Sequence, residues 1–317
     1  MPMKRNIIDI IFPATSCLEG QIVQIKNYIK NLGFEPRILH ENLTTPKKDK
    51  NCQLPNFSAQ NRFNQLYDAL KAPDSCAIWC GSGGFGSADL LPFLANFAPV
   101  KQNKMFIGFS DITSIDNFLQ NRWGWQIISA PMPVQMIDDA KLKIEPQAKA
   151  EIEDVILGKK QKFTYQLQPL NDAEVGDISA PIIGGCLSVL CGNFGTDFQI
   201  DFADQILFLE DEKESAERLD RYFSQVIFVI LRRQRLQKNL PKAILISNLY
   251  HGIDGAEQIA NIDKAVANFV NKITQFGLKI PVFKTKDNLG HNAKMRPLIL
   301  GSKSVIDVQN AVLAASF

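Results

Sequence analysis

Cys76-Ala77-Ile78-Trp79-Cys80 runs directly into Gly81-Ser82-Gly83-Gly84-Phe85-Gly86. The first five residues carry no charge and read as a buried strand. The glycines break it, and Ala88 to Phe97 then looks helical, although Pro92 constrains that segment. Strand, tight loop and helix in that order form one unit of a parallel α/β sheet. The flanking sequence repeats the unit. Upstream, Ile7-Ile8-Asp9-Ile10-Ile11-Phe12 reads as a first buried strand ended by Pro13. Ile22, Ile25, Ile29 and Leu32 then recur near helical spacing, Gly33 serves as a C-cap, and Pro36-Arg37-Ile38-Leu39 begins a second extended piece. Phe63, Leu66, Tyr67 and Leu70 make a further helix face. Downstream, Met105 to Phe109 reads as a strand and Ile112 to Leu119 as a helix.

This regularity fades after about residue 140, and the expected division is an α/β domain over 1–150, a connection over 151–180 and a second domain over 181–317. The second domain shows strands at Ile206 to Leu209, Ala243 to Ser247 and Val282 to Thr285. Helices are expected over 215–237 and 261–276, and short strands around Gly301. A chain of 317 residues, 45% apolar and 21% charged, has room for two such cores.

Charge and composition exclude several classes. Thirty-five Lys and Arg against 33 Asp and Glu leave a formal charge of +2, without the basic surplus of an electrostatic nucleic-acid binder. The lysines around Pro46 and the cluster Arg232, Arg233, Arg235 and Lys238 read as solvated surface. No stretch approaches the roughly 20 apolar residues of a membrane span. The apolar run near the N-terminus is too short, and too interrupted by Asp9, for a signal peptide. The expectation is a cytoplasmic protein. Of the six cysteines, none forms a Cys-x-x-Cys pair, and they read as small buried hydrophobes. Only His40, His251 and His291 are available to a metal centre or as a catalytic base.

Four places carry candidate chemistry. Gly81 to Gly86 matches the letters G-x-G-x-x-G, with Asp111 about 25 residues further on, as a dinucleotide site asks. Phe85 stands where a pyrophosphate would approach, however, and bare glycine N–H groups equally suit a reaction oxyanion. Ser110, in Gly108-Phe109-Ser110-Asp111, falls on a sharp strand-to-helix turn resembling a nucleophile elbow, though Ile112 replaces the usual second glycine. Ser110 or Asp111 as a helix N-cap is the plainer reading. Leu207-Phe208-Leu209-Glu210-Asp211 ends an apolar strand in adjacent carboxylates, suited either to orienting a histidine or to a salt bridge. His291, flanked by Gly290 and Asn292, is the candidate base, with His251 its competitor and His40 structural. Together they offer Ser110 as nucleophile, His291 as base and Glu210 behind the imidazole, with the N–H groups of Asp111 and Gly84 as an oxyanion hole.

Those residues resemble the LD-carboxypeptidases, serine peptidases that include the microcin C immunity proteins. The matching pieces are Gly83-Gly84-Phe85-Gly86 with Leu90-Leu91-Pro92, and Ile107-Gly108-Phe109-Ser110-Asp111-Ile112-Thr113. They continue with Gly184-Gly185, Leu187-Ser188, Gly195-Thr196, Leu207 to Asp211 with Asp220-Arg221, and Gly290-His291. The resemblance implies a Ser110-Glu210-His291 triad and a Rossmann-like parallel-sheet domain followed by a β-rich α+β domain. It also implies a homodimer, no metal or organic cofactor, and release of the terminal D-alanine of murein tetrapeptides. Detoxification of a peptidyl-nucleotide antibiotic is the second reading within the family, with Trp79, Trp123 and Trp125 available as a base-stacking platform. A dinucleotide-dependent oxidoreductase built on Gly81 to Gly86, or a binding protein on the same scaffold, are the rivals from other classes. The chain departs from the family at Ser82, where an arginine is usual, at Cys186, at Ser129-Ala130-Pro131 and at Pro13-Ala14.

Overall fold

The computed structural model describes residues 5–39, 57–138, 140, 143–172, 175–250 and 255–317. His40, Cys52, the lysine-rich stretch 43–56 and His251 lie outside the described residues. The chain divides into two compact units, Met1–Lys160 and Gln161–Phe317.

The first unit contains β1 (Ile7–Ile11), α1 (Glu19–Asn31), β2 (Glu35–Ile38), α2 (Ala59–Lys71), β3 (Ser75–Cys80), α3 (Leu91–Leu94) and β4 (Met105–Gly108). It continues with α4 (Thr113–Trp123), β5 (Ile127–Ser129), α5 (Pro133–Met136) and α6 (Pro146–Ile156). Its strands pair in parallel in the order β2-β1-β3-β4-β5. Ile8, Ile10, Ile11, Ala77, Ile78, Trp79 and Cys80 are all fully buried. Continuous apolar runs of this kind belong to parallel strands covered on both faces. Asp9 is the exception in β1, and Arg37 of β2 holds it at 2.6 Å while also reaching Asp74.

This strand order is that of a doubly wound sheet whose direction reverses between β1 and β3, not the 3-2-1-4-5-6 order of a dinucleotide-binding Rossmann fold. Ligands of such sheets sit outside the carboxyl ends of the strands at the reversal. Here those ends are the segment after Phe12 and the glycine loop after Cys80. The helix expected over 88–97 is instead a 3-10 turn, Ser87–Leu90, followed by the four residues of α3. Pro92 has no N–H to bond Ala88, so one continuous helix cannot pass through it.

The second unit contains β6 (Lys162–Pro169), β7 (Ile178–Cys186), α7 (Leu187–Asn193), β8 (Ile206–Glu210), α8 (Ala216–Arg235) and β9 (Ala243–Ile246). α9 (Ala256–Gln275), β10 (Val282–Thr285), β11 (Leu298–Leu300), β12 (Lys303–Asp307) and β13 (Val312–Ser316) complete it. Seven of these strands close a barrel in the order β10-β6-β13-β12-β7-β8-β9. Pairing is antiparallel from β10 through β6, β13 and β12 to β7, and parallel from β7 through β8 and β9 back to β10. The parallel half needs crossovers, and α8 and α9 supply two of them. Their apolar faces pack with Leu207, Leu209, Ile244 and Ile246 in one core. Phe223 and Phe269 stack within it, their ring centroids 4.6 Å apart.

The stretch 151–180, read from sequence as a connection, holds the end of α6, all of β6 and the start of β7. In β6 the buried Phe163, Tyr165 and Leu167 alternate with exposed Thr164, Gln166 and Gln168, a period-2 pattern whose polar half resembles a linker. Among the described cysteines Cys17, Cys80, Cys186 and Cys191 are buried thiols, and Cys76 is half-buried. No helix among the described residues is long and apolar enough to cross a membrane.

Candidate active site

The nucleophile candidate stands in the first unit. β4 ends at Gly108, Phe109 is extended, and Ser110 adopts φ +63° to open a 3-10 turn, Ser110–Ile112, ahead of α4. A left-handed φ at a non-glycine residue is costly and recurs where function over-determines the backbone. A Cβ at Gly108 would sit 2.8 Å from Ile112 Cγ2 and 3.3 Å from Cys80 Sγ. The bare Gly108 therefore leaves room for the isoleucine that replaces the usual second glycine of an elbow. The N-cap reading of Ser110 and Asp111 gives way: the 3-10 turn begins after Phe109 and α4 after Ile112, and neither start has a side-chain cap. The Asp111 carboxylate instead accepts the Ser87 N–H at 2.8 Å, and the Ser87 hydroxyl donates to the Asp111 carbonyl. Burial raises the Asp111 pKa, opposed by the Ser87 bonds.

The glycine loop is shaped by what crowds it. A Cβ at Gly81 would overlap the Phe12 ring at 2.2 Å, and one at Gly84, which has φ +110°, would meet Thr15 Oγ1 at 2.3 Å. The Thr15 N–H donates to the Gly83 carbonyl at 3.2 Å, and the Phe85 N–H to Thr15 Oγ1 at 3.3 Å. Ser82, which stands where the family arginine is usual, donates its hydroxyl to the Thr15 carbonyl. A Cβ at Gly83 would lie 3.2 Å from Ser110 Oγ, so this loop borders the serine. The loop leads into a four-residue 3-10 turn, not a helix whose aligned dipole would hold a pyrophosphate. Its glycines fit Phe12 and Thr15, and the dinucleotide reading loses its physical basis.

Sequence reasoning missed Arg62. It lies buried on α2 beside Phe63 and Leu66. Its guanidinium donates to the carbonyls of Pro13 and Gly86, the latter at 2.6 Å, and pairs with Asp89 at 2.8 Å. One side chain thus ties the segment after β1 to the glycine loop.

The second unit supplies the carboxylate and the histidine. Glu210 ends β8 and is buried, and His291 is buried in the loop after β10. His291 Nδ1 lies 2.7 Å from Glu210 Oε2, which also accepts the His291 backbone N–H at 3.1 Å. A Cβ at Gly290, which has φ +95°, would sit 2.3 Å from that same oxygen, so only glycine lets the loop approach so closely. Asn248 donates its amide to the His291 carbonyl, and Asp287 anchors the loop by accepting the Gln166 N–H at 2.7 Å and pairing with Arg296 at 2.7 Å. Burial alone would lower the imidazole pKa. The Glu210 charge and hydrogen bond, with smaller help from Glu212 and Asp211, outweigh it and raise the pKa above its ordinary value.

The adjacent carboxylates separate in role. Asp211 accepts the Ser188 N–H at 2.7 Å at the start of α7 and the Glu212 N–H at 2.8 Å. Burial and the Glu210 charge raise its pKa. Cys186 donates its thiol to Asp211 at 3.4 Å. Trp79 and Trp125 are fully buried, each donating its indole N–H to a backbone carbonyl, so neither offers a platform for a base. Trp123 packs edge-on against Phe118.

A model of the LD-carboxypeptidase N-terminal domain matches residues 8–130, and one of the C-terminal domain of the same family matches residues 179–306. The chain belongs to the LD-carboxypeptidase family. The family is one of hydrolases. A Rickettsia prowazekii protein provisionally named a carboxypeptidase is 32% identical over 310 residues, covering 96% of this chain and 89% of that one. The murein tetrapeptide carboxypeptidase of Pseudomonas aeruginosa is 28% identical over 184 residues, covering 56% of this chain and 59% of that one. The fold matches the crystal structure of a muramoyltetrapeptide carboxypeptidase from Oxalobacter formigenes, with TM-score 0.73, 19% identity and 97% of both chains covered.

Proposed function

We propose that this LD-carboxypeptidase family member is a serine carboxypeptidase that releases a C-terminal D-amino acid, D-alanine, from murein-derived tetrapeptides. The observation that carries the reading is the 2.7 Å contact between His291 Nδ1 and the buried Glu210. It fixes the tautomer with Nε2 as acceptor and stabilises the imidazolium once a proton arrives. Ser110 Oγ attacks the carbonyl carbon of the L,D-peptide bond while its proton passes to His291 Nε2. The carbonyl π electrons move onto oxygen, and the N–H groups of Asp111 and Gly84 receive that oxyanion. Support for Gly84 comes from its peptide plane. The Gly83 carbonyl accepts from Thr15, and in a trans peptide the following N–H points the opposite way, away from Thr15. Collapse breaks the C–N bond, His291 gives its proton to the leaving amine, and an acyl-Ser110 ester remains. Water, deprotonated by His291, hydrolyses the ester and restores the serine. The cycle uses no metal or organic cofactor.

The test is incubation with a murein tetrapeptide ending in D-alanine, with free D-alanine assayed. Release is expected, and Ser110→Ala should lower it at least about 10³-fold with circular dichroism unchanged. His291→Ala should match that loss and His251→Ala should not. Full activity in Ser110→Ala would remove the triad. The peptidyl-nucleotide reading has lost Trp79 and Trp125 as stacking groups, and nucleoside-linked peptide cleavage is its assay. A cytoplasmic homodimer remains the expected state, and light scattering on the purified protein checks the stoichiometry.

A further inference from the structure

His291 has a carboxylate near each ring nitrogen. Glu210 Oε2 lies 2.7 Å from Nδ1, and Glu212 Oε1 lies 3.8 Å from Nε2. The two acids differ in exposure: the Glu210 side chain is 2% accessible and that of Glu212 24%. Glu212 is not idle. Its N–H donates to Asp211, and Lys213 Nζ pairs with its carboxylate at 2.8 Å. Lys213 itself holds φ +61°, a left-handed backbone at a non-glycine residue immediately after the acid.

We propose that Glu212 is a second, tunable partner of the catalytic histidine, which acts on Nε2 through its charge and sets the pH at which His291 becomes available as a base. This rests on the reading of His291 as general base. A gap of 3.8 Å is too long for a hydrogen bond, so Glu212 acts on the ring electrostatically. Its negative charge favours the imidazolium, in which Nε2 carries a proton and cannot accept one from serine. Loss of that proton to solvent frees the Nε2 lone pair. The charged groups bearing on the ring are Glu210, Asp211 and Glu212, with Lys213 joined to Glu212. Glu210 and Asp211 are both buried. Glu212 is reached by solvent and shares its charge with a lysine, so its influence depends on what Lys213 does.

Two substitutions should therefore move the histidine in opposite directions. In the full-length protein, with no substrate present, the imidazole proton signal of His291 is followed by NMR against pH and assigned by its disappearance in His291→Gln. Glu212→Gln should lower the titration midpoint by about 0.5–1 pH unit. Lys213→Gln, which leaves the acid unpaired, should raise it by a smaller amount. The acid limb of kcat/KM should follow each shift. An unmoved midpoint in Glu212→Gln, or shifts of the same sign in both variants, would overturn the proposal. Because the midpoint is read without turnover, it tests Glu212 even if the tetrapeptide is not cleaved.

Discussion

Ser110 and His291 reach their geometries by different means, one through backbone and the other through buried charge. Around Ser110 the chain relies on absent side chains: Gly81 makes room for Phe12, Gly84 for Thr15 and Gly108 for Ile112. Around His291 it relies on a side chain in place, the Glu210 carboxylate that binds both the ring and the backbone N–H of one residue. A site assembled from backbone shape fails when bulk is added or a staple is removed. A site assembled from charge fails when the charge changes at constant shape.

The sharpest break in that comparison is Glu210→Gln. It preserves volume and removes the charge, so the imidazolium loses its counter-ion and the amide permits the wrong tautomer. We expect kcat to fall by about 10³–10⁴-fold with little loss of stability. His291 should also titrate at lower pH, because the charge that outweighs its burial is gone. Steady-state kinetics with NMR titration checks both. An unchanged kcat would mean that the pair is only structural.

The serine half should break through stability first. Arg62→Met keeps the apolar stem and deletes the guanidinium, leaving the Pro13 and Gly86 carbonyls without their donor. The expected cost is about 2–4 kcal/mol, read as a lower urea midpoint at constant slope. Activity should fall as well, because the glycine loop bordering Ser110 loses its tie to the segment after β1. Unchanged stability would show that solvent takes over both carbonyls.

These two regions also differ in how much of them was legible in the sequence. Ser110, Glu210 and His291, the proposed triad, stand out because they sit at strand ends or a glycine-flanked loop, which leave local marks. Arg62 leaves none: an arginine between helix-face residues reads as surface, and only the tertiary approach of Pro13 and Gly86 buries it. Glu212 reads as one acid in a charged turn, and its distance from Nε2 arises from the pairing of β8 with β9 and of β9 with β10. The parallel strands of the first unit were visible as apolar runs, whereas β6 hid because half its residues are polar. The glycine letters were equally visible but fit two chemistries. What crowds those glycines, the Phe12 ring at Gly81 and the Thr15 hydroxyl at Gly84, is distant in sequence and left no local mark.

The mildest prediction concerns α4, the helix that Ser110 leads into. Asp116 is buried there, with its Oδ1 lacking a hydrogen-bond partner. Burial alone raises its pKa well above the ordinary carboxylate value. The folded state therefore holds this proton more tightly than the unfolded state does. The favourable contribution is complete below the unfolded carboxylate pKa and is lost as pH rises through the folded one. Asp116→Asn has nothing to titrate. Its stability relative to the native protein should rise steadily with pH between about pH 5 and about pH 8, by about 2 °C or more in unfolding midpoint. Thermal unfolding across that range checks the slope. A difference that shrinks as pH rises would mean that the folded protein favours the Asp116 carboxylate over its acid. In that case α4 would carry a buried charge, and the serine half would depend on charge as the histidine half does.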